Sequence, residues 1–161
     1  MKEIKLEATL FTYNSINELQ DLVERDLCFA SINARQDAYA DYSRFSVGAS
    51  LLLDNNEILT GSNQENAVYP LGLCAERVGI FSANTQYPDS KILKLAVSTS
   101  AKEGDNDYPA FPCGSCRQVI SEQEVRFSQD IKVFVIAANQ RVFVMNSIKD
   151  ILPFTFTKFL L

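Results

Sequence analysis

Two hydrophobic periodicities alternate along the chain. Apolar residues recur at helical spacing after Ser15, which predicts a capped helix running to about Ala40. Apolar and β-branched runs at Phe45–Leu53 and Ile131–Ala138 predict strands instead. Asp54-Asn55-Asn56 follows the first of these strands, and Asn and Asp tolerate the positive φ that a hairpin turn requires. The pattern therefore predicts helices and strands in alternation.

The remaining segments complete the predicted order of elements. Further strands are expected at Glu57–Thr60, Ile92–Ser98 and Val142–Met145. Helices are expected at Cys74–Ala83 and Ser115–Ser121, with a polar loop at Lys102–Pro112 and a last helical turn at Ser147–Leu152. The order helix, hairpin, helix, strand, helix, hairpin is typical of an α/β fold. We predict a three-layer α/β/α sandwich around a five-stranded mixed sheet.

Composition narrows the class of protein. The chain has 161 residues, of which 47% are hydrophobic and 22% charged, so we expect a single globular domain over residues 1–161, with 1–14 as an N-terminal extension. The net charge of −5 argues against nucleic acid or anionic membranes as partners. Met1–Leu10 mixes charged and apolar residues, which is not the pattern of a signal peptide, and the expected location is cytoplasmic.

The chain contains no histidine, and this excludes several kinds of site. Ser–His and Cys–His nucleophile pairs, histidine general bases and histidine-ligated metals are all ruled out. Acid–base chemistry near neutral pH must then use a carboxylate, Lys, Tyr, Cys or a metal-bound water. The four cysteines favour thiolate–metal or redox chemistry over structural disulfides, since a reducing compartment is expected.

Three of those cysteines form a candidate metal site. Cys113-Gly-Ser-Cys116 is a C-x-x-C motif, which alone fits a redox pair as well as a metal site. Cys74 adds a third thiol, and all three lie at predicted helix starts, where the helix dipole favours thiolates. Three protein ligands would leave the fourth tetrahedral position open, as in catalytic zinc sites.

Two charged residues follow Cys74 directly. Glu76 lies on the same first helical turn and could exchange a proton with water held at the open position. Arg77 could donate hydrogen bonds to the thiolates and offset their charge. The alternatives are a carboxylate that complements the helix dipole and a solvated arginine.

The combination of motifs resembles a known family. Cys74-Ala75-Glu76-Arg77 and Pro112-Cys113-Gly114-Ser115-Cys116-Arg117-Gln118 closely resemble the zinc-dependent cytidine deaminases of pyrimidine salvage. The similarity covers about residues 20–156, with further matching stretches at Tyr42–Ala49, Gly61–Tyr69 and Ile151–Phe156. At the C-terminus, Phe154 and Thr155 replace the Gly-Ala that is usual in the family.

The resemblance implies an activity and a site. The chain would hydrolyse cytidine and 2′-deoxycytidine to uridine and 2′-deoxyuridine plus ammonia, with Zn²⁺ held by Cys74, Cys113 and Cys116. Glu76 would carry the proton from the zinc-activated water that attacks C4. Asn63 and Glu65 would bind the ribose 3′-hydroxyl, Phe45 would line the nucleoside pocket, and the Ala75 amide would hold the base carbonyl.

The resemblance also implies assembly. The apolar tail Pro153–Leu161 would be an exposed hydrophobic patch, which usually marks an interface. We expect a homotetramer in which Phe156 reaches the pocket of a neighbouring subunit. In the alternative arrangement, the tail folds back onto its own core.

Three other functions are open at this stage. A blasticidin-S-type deaminase shares the zinc motifs but typically lacks residues equivalent to Asn63, Glu65 and Arg77. A non-catalytic zinc-binding scaffold and a thiol–disulfide oxidoreductase also fit the cysteines. Cys28 belongs to no motif and is expected to be a buried small hydrophobe, and Tyr69 could belong to the core.

Overall fold

The computed structural model describes residues 1–101 and 109–157. Its strands and helices follow the chain as β1 (Phe11–Tyr13), α1 (Leu22–Ala34), β2 (Phe45–Leu53), β3 (Ile58–Ser62), α2 (Ala75–Gln86), β4 (Ile92–Ala101), α3 (Gly114–Phe127), β5 (Lys132–Ile136) and β6 (Val142–Met145). The predicted order of helices and hairpins is confirmed. The predicted loop at Lys102–Pro112 falls partly outside the described residues, which exclude 102–108.

The strands form one mixed sheet in the order β1-β6-β5-β4-β2-β3. Strands β4 and β5 run parallel, and the other neighbouring pairs run antiparallel. The sheet has six strands, so the predicted count of five is wrong. The additional strand is β1, which extends the sheet from the N-terminal segment by placing Phe11 opposite Val144. Three residues are too few for an alternating pattern to reveal a strand.

Helices cover both faces of the sheet and confirm the three layers. Consecutive residues of β5 point to opposite faces. Phe134 packs in the cluster that contains Leu27 of α1. Val133 packs in the cluster that contains Ile80 of α2 and Ile120 of α3. Helices α2 and α3 therefore share one face of the sheet. Within the described ranges, no helix is long and apolar enough to span a membrane.

The long first helix predicted from Ser15 to Ala40 is wrong. Ser15 caps only a 3₁₀ turn, Ile16–Glu18, by accepting a hydrogen bond from a backbone N–H. Leu19 is then extended, and a second capping residue, Asp21, starts α1. The helical spacing of apolar residues continues across this break, because the 3₁₀ turn and α1 bury apolar residues in the same cluster.

Several further boundaries differ from those predicted, including the ends of α2 at Gln86 and of β4 at Ala101. Helix α3 continues past Ser121 to Phe127, because Gln123 and Glu124 are buried polar residues that a hydrophobic pattern does not include. The helix ends at Ser128, which adopts a left-handed φ of 49°. The last predicted turn is a 3₁₀ turn over Ile148–Asp150.

Gly61 of β3 allows the N-terminal end of α2 to lie directly on the sheet. A β-carbon at Gly61 of β3 would stand 2.6 Å from the Ala75 carbonyl oxygen and 2.5 Å from the Gly79 amide nitrogen, both in α2. Both neighbours are backbone atoms that cannot rotate away. Gly61 therefore determines how closely the first turn of α2 approaches β3.

The first prediction concerns this close approach. Gly61→Ala should lower the free energy of unfolding by about 1–3 kcal/mol or more, because the added methyl must push α2 away from the sheet. Urea denaturation would measure the change. Gly114→Ala is the matched control, since a β-carbon there meets nothing within 4 Å. Equal stability of Gly61→Ala and the unsubstituted protein would contradict the packing described.

Candidate active site

The three motif cysteines converge at the N-termini of two helices. Cys74 is the N-cap of α2, Cys113 is the N-cap of α3, and Cys116 lies on the first turn of α3. Their sulfur atoms all lie within 4.8 Å of one another. The separations are 3.8 Å between the Cys74 and Cys113 sulfurs and 3.5 Å between those of Cys113 and Cys116. Residues 39 positions apart are thus brought into one cluster.

This sulfur triangle has the dimensions of a zinc site. Tetrahedral zinc with Zn–S bonds of about 2.3 Å requires sulfurs about 3.8 Å apart. Neither N-cap thiol accepts a capping hydrogen bond from its own helix, so both are available as ligands. Thiolates are soft ligands that select zinc and similar metals. The donor set fits zinc and leaves a fourth coordination position for water or substrate.

The electrostatics of the cluster favour a thiolate at Cys74. A hydrogen bond with the Cys116 thiol and another with the Arg77 guanidinium lower the pKa of Cys74 from 9.0 to about 5. The Nη2 atom of Arg77 lies 3.7 Å from the Cys74 sulfur. The hydrogen bond with Cys74 and burial raise the pKa of Cys116, so this pair retains one proton. Arg77 therefore lies where its charge offsets that of the sulfurs.

Glu76 is buried beside the three thiols. Glu76 is only 4% exposed, although it lies on the first turn of α2. Burial raises the pKa of its carboxyl group, and the negative charge at Cys74 raises it further. A carboxyl group with a raised pKa accepts and releases a proton more readily near neutral pH. Glu76 can therefore act as an acid and as a base at this position.

A cavity of about 370 Å³ opens above the cluster. This volume is in the range of small-molecule binding sites. Six residues singled out from the sequence line it: Phe45, Asn63, Glu65, Cys74, Glu76 and Cys113. The other walls are largely apolar and include Val97 and Phe111. The cavity thus places an apolar chamber over one buried carboxyl group and two of the three thiols.

The side chains of Asn63 and Glu65 also form hydrogen bonds with the backbone beside the cavity that they line. The Asn63 amide accepts a hydrogen bond from the Val47 N–H at 2.8 Å and donates one to the Phe45 carbonyl at 2.9 Å. The Glu65 carboxylate accepts from the Tyr42 N–H at 2.8 Å, and hydrogen bonds from Ser43 and Tyr42 lower its pKa. Asn63 therefore holds the start of β2 beside the cavity, and the ionised Glu65 holds the loop before β2.

Ala75 and Phe156 lie outside the cavity lining. Ala75 is fully buried as the first residue of α2, where its N–H has no acceptor within the helix. The residue Phe156 is 73% exposed, and its carbonyl accepts a hydrogen bond from Gln118 of α3 at 2.7 Å. The structure therefore gathers the predicted site residues except Phe156, and the roles of all of these residues stay predictions.

Several lining residues were not predicted from the sequence. Tyr69, considered as a core residue, is 76% exposed, lines the cavity and packs edge-to-face against Tyr42. Phe111 could have been found, because it directly precedes the Pro112-Cys113 motif. Thr99 carries no such signal, since only the pairing of β4 in the sheet brings it to the cavity.

Comparison with known protein families agrees with this geometry. Residues 24–129 match the model of the cytidine and deoxycytidylate deaminase zinc-binding region. The chain belongs to this family. The matched zinc-binding region contains Glu76 and all three cysteines of the cluster, and this cluster has the geometry to hold a metal ion.

Individual deaminases show the same relationship. The chain is 44% identical to the cytidine deaminase of Halalkalibacterium halodurans over 92 residues. This matched stretch covers 57% of this chain and 65% of that protein. It is 35% identical over 144 residues to the cytidine deaminase of Mycoplasma genitalium, covering 89% of this chain and 93% of the other. The crystal structure of cytidine deaminase from Burkholderia pseudomallei matches 81% of this chain and 97% of its own, with a TM-score of 0.69 and 35% identity.

The second prediction concerns metal content. We expect one zinc per chain, and expect Cys74→Ala, Cys113→Ala and Cys116→Ala each to lose it, because two thiolates cannot complete the site. Elemental analysis of the purified proteins would measure this. Cys28→Ala is the control, since Cys28 is fully buried among apolar side chains on the other face of the sheet. Loss of zinc from Cys28→Ala, or its retention by Cys74→Ala, would contradict the ligand assignment.

Proposed function

We propose that this chain is a hydrolase that converts cytidine and 2′-deoxycytidine to uridine and 2′-deoxyuridine, releasing ammonia. The observation that carries the proposal is the buried Glu76 carboxyl group, which lies beside three clustered thiols on the wall of a 370 Å³ cavity. A redox pair needs only Cys113 and Cys116 and would leave the third clustered thiol, that of Cys74, unexplained. Membership of the zinc-binding deaminase family supports the same activity.

The residues around the cavity divide the chemistry between them. Zinc, when bound by Cys74, Cys113 and Cys116, lowers the pKa of a bound water to about 7 and so supplies the nucleophile for attack at C4. With zinc bound, Glu76 would accept one proton from the water and deliver it to N3 of the base. It would then accept the second proton of that water, from the hydroxyl group now on C4, and deliver it to the amino group that leaves as ammonia. The Ala75 N–H holds the base carbonyl, and Arg77 offsets the charge of the thiolates through Cys74.

The polar side of the cavity supports a nucleoside as substrate. Asn63 and Glu65 line it, and each retains lone pairs on its side-chain oxygen atoms beyond those used by backbone N–H groups. We assign them to the ribose 3′-hydroxyl. Phe45 lines the same wall and supplies apolar surface for the bound nucleoside.

We also propose a homotetramer that acts in the cytoplasm in pyrimidine salvage. Large apolar residues stand exposed near the cavity and on the tail, with Tyr69 at 76%, Leu71 at 66%, Phe154 at 78% and Phe156 at 73%. Such a patch usually marks an interface. A site made of free thiols favours a reducing compartment. In this assembly, Phe156 closes the cavity of a neighbouring subunit.

The third prediction tests the catalytic role of Glu76. Glu76→Gln should keep its zinc and its fold but lose deamination by about 10²–10⁴-fold or more, because the amide cannot carry a proton between water and base. The measurements are the ultraviolet change as cytidine becomes uridine and the metal content of the same sample. Glu122→Gln on α3 is an exposed control that should retain full activity. Near-normal turnover by zinc-loaded Glu76→Gln would refute the mechanism.

The fourth prediction tests the composite site. Phe156→Ala should raise KM at least several-fold while leaving zinc bound, since truncation opens the cavity of the neighbouring subunit. Phe154→Ala, two residues earlier and equally exposed, is the matched control. Sedimentation of the unsubstituted protein at assay concentration gives the assembly state. A fully active monomer, or equal effects of the two variants, would contradict the shared site.

A further inference from the structure

One side chain connects two segments: the metal-binding loop, defined here as Pro112 and Cys113 directly before α3, and the C-terminal segment, defined as residues 147–157. Arg117 follows Cys116 on α3, and its Nε donates a hydrogen bond to the Pro112 carbonyl at 2.7 Å. Its Nη1 donates a second bond to the Ile151 carbonyl at 2.9 Å. The two acceptors lie 5 residues before Arg117 and 34 residues after it. A planar guanidinium group can hold both carbonyls in one fixed geometry.

The bond to Pro112 bears directly on a metal ligand. The Pro112 carbonyl belongs to the peptide plane that ends at the Cα of Cys113. Cys113 is the exposed member of the three cysteines and caps α3 without a side-chain hydrogen bond to that helix. The orientation of this peptide plane therefore helps to determine where the Cys113 sulfur lies relative to those of Cys74 and Cys116.

The bond to Ile151 is one of several hydrogen bonds that attach the C-terminal segment to α3 in the described part of the chain. The buried Glu124 carboxylate accepts hydrogen bonds from the Ile148 N–H at 3.0 Å and from the Ser147 hydroxyl at 2.9 Å. At the other end, Gln118 donates to the Phe156 carbonyl. Along the segment, Ile151 lies between these two attachment points. Its partner Arg117 also bonds to the metal-binding loop.

We propose that Arg117 is a positioning residue that couples retention of the metal to the placement of the C-terminal segment. Its guanidinium group holds the Cys113 loop in ligand geometry and fixes Ile151, which starts the run of chain that leads to Phe156. Lysine cannot replace it fully, because one ammonium group on a flexible stem does not present two donors in a planar fork. The inference rests on the proposed function for the identity of the metal as zinc.

The fifth prediction tests this coupling with readouts that require no turnover. Arg117→Gln should release zinc to a chromogenic chelator about 10–100-fold faster than the unsubstituted protein, the usual range for loss of a group that orients a ligand. Hydrogen exchange at residues 151–157 should rise in the same variant. Arg117→Lys should give zinc-release and hydrogen-exchange rates between those of Arg117→Gln and the unsubstituted protein. If Arg117→Gln does not fold, Arg117→Lys provides the test.

Two controls separate positioning from general stability. Arg126→Gln removes another α3 arginine that also donates to a proline carbonyl, that of Pro88, and should leave zinc release unchanged. Gln118→Ala should increase exchange near Phe156 without changing zinc release, because Gln118 has no bond to the metal-binding loop in the described part of the chain. Unchanged zinc release in the Arg117 variants, or equal acceleration by Arg126→Gln, would overturn the inference.

These outcomes differ from a failure of the proposed function. If the unsubstituted protein bound no zinc, or bound it without deaminating cytidine, the proposed function would fail whatever the Arg117 variants did. If it bound zinc and deaminated cytidine while Arg117→Gln and Arg117→Lys behaved like it, only the positioning role would be lost.

Discussion

The close approach of three sulfur atoms constrains the rest of this structure. Cys74 comes from the start of α2, and Cys113 and Cys116 come from the start of α3, so the N-termini of both helices must meet at one point. That requirement places α2 and α3 on the same face of the sheet. The first turn of α2, which carries Cys74 at its N-cap, also lies close to β3, where Gly61 has no side chain to keep the backbones apart.

The same convergence concentrates charge in a small buried volume. Thiolates near two helix N-termini, the Arg77 guanidinium and the buried Glu76 carboxyl group lie within one cluster. Without a cation the thiols must share protons, as the opposite pKa shifts of Cys74 and Cys116 indicate. Metal binding to such a site releases those protons and stabilises the fold that holds the ligands.

Polar residues on the cavity wall serve both structure and recognition. Asn63 uses part of its hydrogen-bonding capacity to hold the start of β2, and Glu65 uses part of its own to hold the loop before β2. Both residues line the cavity with the capacity that remains. Next to the cysteine cluster, Arg117 joins the metal-binding loop to the C-terminal segment. The cavity wall at Asn63 and Glu65 and the loop at Cys113 are thus both held by side chains that bond to backbone.

The sequence by itself determined the α/β class, the order of helices and hairpins, and the cysteine and glutamate motifs, because these depend on local periodicity and spacing. It did not reveal β1, the break before α1 or the cavity residue Thr99. Those features depend on pairing and packing between distant segments: β1 is a strand only because β6 offers it an edge, and Thr99 reaches the cavity only through its neighbours in the sheet. The bonds of Arg117 were equally hidden, since tertiary folding alone brings the Ile151 carbonyl to its guanidinium group.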